Sequence, residues 1–114
     1  MPLCAVGSPA VTVQLLFGRS IEGGGRVDAT AWKAFLDQTV TPRFPDGLTV
    51  LEGSGQWRRG DSGIIGSEPS TVVLIVTGDR PEIYARLDAI RAAYRQRFRQ
   101  ESVGLVVNRS CADF

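Results

Sequence analysis

Strand-like and helix-like periods alternate along this 114-residue chain in the order β-α-β-β-α-β, and few folds accept that order. Val11 to Phe17 (VTVQLLF) is short, β-branched and apolar, which predicts a strand with Val11, Val13, Leu15 and Phe17 on one face. Asp28 suits an N-cap, and Trp32, Phe35, Leu36 and Val40 then repeat at helical spacing to about Thr39. Pro42 disfavours helical geometry at Thr41, so the helix is expected to stop there. Leu48 to Arg58 reads as a second strand interrupted by Gly53 and Gly55, Arg59 to Ser67 as a loop, and Ser70 to Thr77 as a third strand. Asp79 and Glu82 have capping-box spacing before a second helix, whose buried stripe is Ile83, Leu87, Ile90, Tyr94 and Phe98. Glu101 to Asn108 is the fourth strand.

The simplest packing is a ferredoxin-like α+β sandwich, a four-stranded antiparallel sheet of order 4-1-3-2 with both helices on one face. Residues 1–10 read as a tail and 11–114 as a single domain. The uncovered face would then carry Leu16, Val106 and alternate residues of Val72–Val76. Apolar surface of that extent seldom stays wet on a monomer. The expectation is a homodimer through the open sheet face or a ligand on it. The alternative is that the Gly23–Gly25 and Arg59–Ser67 loops fold over it.

A net charge of +1 argues against a nucleic-acid binder, which usually carries a large basic excess. No apolar run approaches the roughly 20 residues of a membrane span. The chain has no histidine, which removes the commonest base, the usual metal ligand and the ordinary hydrolase triad. No metal, no cofactor and no catalytic residue is assigned.

Cys4 precedes the first strand and Cys111 follows the last. Bridged, they would close a loop of about 100 residues in an oxidising compartment; in the cytosol both would be free thiols. Met1-Pro2-Leu3-Cys4 also reads as the remnant of a lipoprotein leader.

The run VTPRFPDGLTV, Val40 to Val50, carries more specification than a turn needs. Pro42 restrains the backbone beside Arg43, whose planar fork suits a carboxylate or phosphate. The plainer reading makes Arg43 a staple for the corner. Gln56-Trp57 offers stacking plus an amide, or merely a cap on the core edge. Glu68 would serve as a base if desolvated, or as half of an ion pair. The candidate ligand set is Arg19, Arg43, Gln56, Trp57, Glu68, Tyr94 and Gln100, with Arg43 facing Gln56, Trp57 and Glu68.

Phe17-Gly18-Arg19, the segment Val40 to Gly47, Gly55-Gln56-Trp57, Glu68 with Ser70, Tyr94 with Phe98, Gln100 to Val103 and the Cys111–Phe114 ending together resemble an uncharacterised bacterial family of small proteins, a domain of unknown function. Many members look exported, so the resemblance implies a periplasmic or extracellular address and favours the disulfide. The leading reading is an exported binding or accessory domain for a small polar or anionic ligand. The alternatives are a dimeric α/β-barrel-type enzyme using Glu68 or Tyr94 as acid or base, and a structural protein-interaction module.

Overall fold

The computed structural model describes residues 4–114, so the leader reading of Met1 to Leu3 lies outside the described residues. Strand β1 (Ser8–Gly18) is central, flanked by β3 (Ile65–Thr77) and β4 (Gly104–Ala112), with β2 (Thr49–Arg58) beyond β3. All pairings are antiparallel and the order β2-β3-β1-β4 is the expected one read from the other edge. Helices α1 (Ala29–Phe35) and α2 (Glu82–Phe98) supply the second layer.

The core forms as the two periods require. Val11, Val13, Leu15 and Phe17 of β1 are buried with Val73 and Ile75 of β3, and Ile83, Leu87, Ile90, Tyr94 and Phe98 of α2 lie against them. Phe17, Trp32, Phe35, Tyr94 and Phe98 form one aromatic cluster with ring centroids 4.8 to 6.2 Å apart, mostly edge to face. Asp28 caps α1, its Oδ1 accepting from the Ala31 amide at 2.8 Å.

Five features differ from expectation. Strand β1 starts at Ser8 rather than Val11, and Ser8, Pro9 and Ala10 pair with Ala112, Cys111 and Ser110 of β4, so the tail reading of residues 1–10 fails over this stretch. The first helical segment does not stop before Pro42. It widens into a π-turn over Leu36–Val40 and tightens into a 3-10 turn over Thr41–Arg43. Pro42 is tolerated because it enters at the start of a new, tighter turn, where its missing N–H is not needed. The capping box at α2 does not form: Pro81 takes the cap position, and Asp79 instead accepts from the Tyr84 hydroxyl and faces Arg109. Strand β3 starts at Ile65 rather than Ser70. Pro69 lies opposite Arg19, just past the last β1–β3 pair, Gly18–Ser70. Its carbonyl still accepts the Arg19 amide at 3.0 Å, and the Arg19 carbonyl takes the Val27 amide at 2.9 Å, so the missing proline N–H leaves no acceptor orphaned. Strand β4 begins at Gly104 rather than Glu101 and runs to Ala112.

Cys4 and Cys111 form a disulfide, tying the segment before β1 to the edge strand β4. The other sheet face is uncovered. Leu16, Leu51, Trp57 and Val106 are exposed there, and nothing lies within 4 Å of where a Cβ on Gly23, Gly24 or Gly25 would be. The alternative of closure by the loops is thus not met at Gly23–Gly25, although Ile21, Glu22 and Arg59 border one end of the face.

Candidate functional site

Strand parity sorts the candidates before any distance is read. Residues that pair across an antiparallel sheet share a face. Gly104 opposite Leu16, Gly18 opposite Ser70, Gly53 opposite Ser70, Gly55 opposite Glu68 and Gly66 opposite Trp57 all lie on the open face. Gathering five glycines at one end of that face removes the side chains that would fill it. The result is a cavity of about 760 Å³, floored by Gly18 and Gly104 and walled by Trp57, Glu68, Arg59 and the Arg99–Ser102 turn.

The glycines are used by their neighbours. A Cβ on Gly18 would fall 2.6 Å from Glu68 Oε1, and one on Gly66 would fall 2.5 Å from Trp57 Cε2. The Glu68 carboxylate therefore lies on Gly18 and the indole lies on Gly66. Trp57 remains 44% exposed, so much of its ring is free to stack.

Three side chains converge on the backbone from Gly18 to Ser20. Glu68 Oε2 accepts the Ser20 amide at 3.0 Å. The Tyr94 hydroxyl donates to the Gly18 carbonyl at 2.7 Å from the helix side. Gln100 Nε2 donates to the Ser20 carbonyl at 2.7 Å and to the Phe98 carbonyl at 3.3 Å, joining the floor to the end of α2. A floor held from three directions is preorganised, which lowers the cost of binding.

Of the candidate set, Glu68, Trp57 and Gln100 line the cavity. Tyr94 does not. It is buried beneath the floor, and burial pushes its hydroxyl well above tyrosine's ordinary range; the Arg19 guanidinium pulls it back and Glu68 adds to the rise. Arg19 points to the helix side, donating through Nε to the Val27 carbonyl at 2.9 Å and through Nη1 to Glu52 Oε2 at 3.1 Å. Glu52 also accepts from the buried Thr71 hydroxyl. Gln56 pairs with Ser67 and projects from the opposite face to Trp57.

Arg43 does not face Gln56, Trp57 or Glu68. Its corner opens onto β2 at Thr49, opposite Leu74, whereas Glu68 pairs with Gly55 six residues further along the strand. At the rise of an antiparallel strand the separation is about 20 Å. Arg43 Nη1 instead donates to the Thr39 carbonyl at 2.8 Å, satisfying a group left by the change of helical winding. Residues missed in the sequence are Gly18, Gly104, Arg59 and Arg99.

Among the described residues no group of three or more His, Cys, Asp or Glu is placed to hold a metal ion, and no helix is long and apolar enough to cross a membrane.

Fold and site together define a ferredoxin-like sandwich with a glycine-floored cavity on its open face. The chain belongs to DUF3574, a family of proteins of unknown function, whose profile matches residues 12–114. No curated protein matches it in sequence. Among solved structures it is similar to a phage SAM lyase in complex with S-methyl-5'-thioadenosine, at a TM-score of 0.64 and 16% identity, covering 98% of this chain and 97% of that one. The phage SAM lyase in its apo state is similar at 0.64 and 15%, covering 100% and 98%. At that identity the likeness is one of fold.

Proposed function

We propose that this chain is an exported binding domain that takes a small ligand, a planar ring joined to a polar chain, in the open-face cavity. The observation that carries this reading is the pairing of a backbone floor with a half-exposed indole and a carboxylate at its edge. Small-molecule sites commonly span about 300–1,000 Å³ with few polar groups placed for orientation. The disulfide supports an oxidising, periplasmic or extracellular address. A second copy on the open face would take Leu16, Leu51 and Val106 out of water, which light scattering would register as a dimer.

Because a protein of this fold holds S-methyl-5'-thioadenosine, thioadenosines are the first ligands to test. Titration calorimetry with S-methyl-5'-thioadenosine on the parent and Trp57→Ala examines the reading. Ring stacking of this kind contributes about 1–3 kcal/mol, so the variant should bind about 5- to 150-fold more weakly. Equal binding by both proteins removes the cavity as the site.

One observation favours an enzyme instead. Glu68 uses Oε2 on the Ser20 amide, and no protein donor among the described residues engages Oε1, which lies over Gly18 at the cavity floor. A carboxylate so placed suits proton transfer. Tyr94 does not, since its proton is held in the Gly18 bond. Such a base would take a proton from the carbon next to the S–Cγ bond of S-adenosylmethionine, so that this bond breaks to give S-methyl-5'-thioadenosine and 2-aminobut-3-enoate. Formation of both products by the parent but not by Glu68→Gln would establish this second reading, and no release by either would end it.

A further inference from the structure

We infer that Arg99, with Arg59, forms an oxyanion-binding end to this cavity, so that the ligand carries a carboxylate or phosphate besides its ring. The inference rests on the proposed site and extends it.

Arg99 is the one described residue other than glycine with positive φ (φ 50°, ψ 53°). It sits where α2 ends, its amide and that of Gln100 both donating to the Arg95 carbonyl. Glycine takes this left-handed position without steric cost, and asparagine tolerates it. A long, β-substituted side chain there works against the fold unless the side chain is used. The helix end does not require it, because Arg95 and Arg97 already stand in the last turn to meet the negative end of the dipole.

The guanidinium is also uncommitted. Among the described residues, arginine side-chain hydrogen bonds belong to Arg19, Arg43 and Arg91, and ion pairs to Arg19, Arg80, Arg91 and Arg109. Arg99 and Arg59 enter none of them, yet both line the cavity. They reach it from different elements, Arg99 from the end of α2 and Arg59 from just beyond β2. Two free planar forks flanking one cavity suit an oxyanion, which accepts two parallel N–H bonds from such a group. Glu22, Glu68 and Glu101 line the same cavity. They make it selective against a bare anion, so the ring must supply part of the affinity.

The test uses three probes on the full chain by calorimetry: S-methyl-5'-thioadenosine, which has no anionic group, S-adenosylhomocysteine, which has a carboxylate, and adenosine 5'-monophosphate. The variants are Arg99→Gly and Arg59→Gln. The inference predicts that at least one anionic probe binds the parent more tightly than the neutral one and loses about 10-fold or more in each variant, while the neutral probe is unchanged. Which anionic probe responds identifies carboxylate or phosphate. Arg99→Gly should melt at the parent's temperature or higher, because glycine suits the position. If the neutral probe binds as tightly as both anionic ones, or both variants bind all three as the parent does, the oxyanion end is refuted while the cavity stands. If no probe binds the parent, the thioadenosine reading and this inference fall together.

Discussion

Removing one oxygen, in Tyr94→Phe, separates a structural tyrosine from a chemical one. Tyr94 is fully buried among the rings of Phe17, Trp32, Phe35 and Phe98, and phenylalanine keeps its shape. What is lost is the 2.7 Å bond to the Gly18 carbonyl beneath the cavity floor. Leaving such a group without its donor costs about 1–2 kcal/mol, or roughly 4–8 °C in a chain of this size. The pH dependence gives a second signature. The folded-state pKa is raised by burial, so the contribution is fully present below tyrosine's ordinary value of 10.0 and is lost as pH rises above it. Above that point the unfolded chain releases the proton and the folded one keeps it, so parent stability should fall by about 1.4 kcal/mol per pH unit relative to the variant. The two curves should meet at about pH 10.7 to 11.5. Urea unfolding followed by circular dichroism, from about pH 8 upward, measures both effects. Equal stability of parent and variant at neutral pH, or parallel curves through high pH, would refute the buried-donor account.

Three further outcomes follow from the same geometry. Arg43→Ala, which frees the Thr39 carbonyl, should lower stability by about 1 kcal/mol in urea unfolding and leave ligand affinity unaltered in calorimetry. Reducing the Cys4–Cys111 bridge, which spans a sequence separation of 107, should lower stability by about 4–5 kcal/mol on the chain-entropy model, read as a drop in melting temperature with dithiothreitol that Cys4→Ser reproduces. Gly66→Val should push the indole of Trp57 off its seat and weaken ring-bearing ligands, with a shift in tryptophan emission while circular dichroism keeps the native spectrum.

The sheet order and both helix faces were legible because side-chain period decides which residues leave water. Tyr94 shows the strength of that signal: helical spacing placed it with Ile83, Leu87, Ile90 and Phe98, and there it is buried. The same spacing already argued against a place in an open cavity. Trp57 and Glu68 were legible as candidates because an aromatic and an acidic residue stand beside strand glycines. Gln56 was not separable from Trp57 without strand parity, which sends neighbours to opposite faces. Arg43 was misplaced because register decides distance along a sheet, and register emerges from the pairing of Thr49 with Leu74 rather than from the corner itself. The β3 start was hidden by Gly66 and Pro69, which punctuate a sequence but here sit within a strand beside the end of β1.

The central claim is that the ligand lies on the glycine floor of the open face, and amide-resolved NMR titration with S-methyl-5'-thioadenosine tests it most directly. The account predicts shifts at the amides of Gly18, Ser20, Gly55 and Gly104 and at the indole N–H of Trp57, with the Arg43–Gly47 corner undisturbed. Shifts confined to the Arg43–Gly47 corner, or no shifts at saturating ligand, would contradict it.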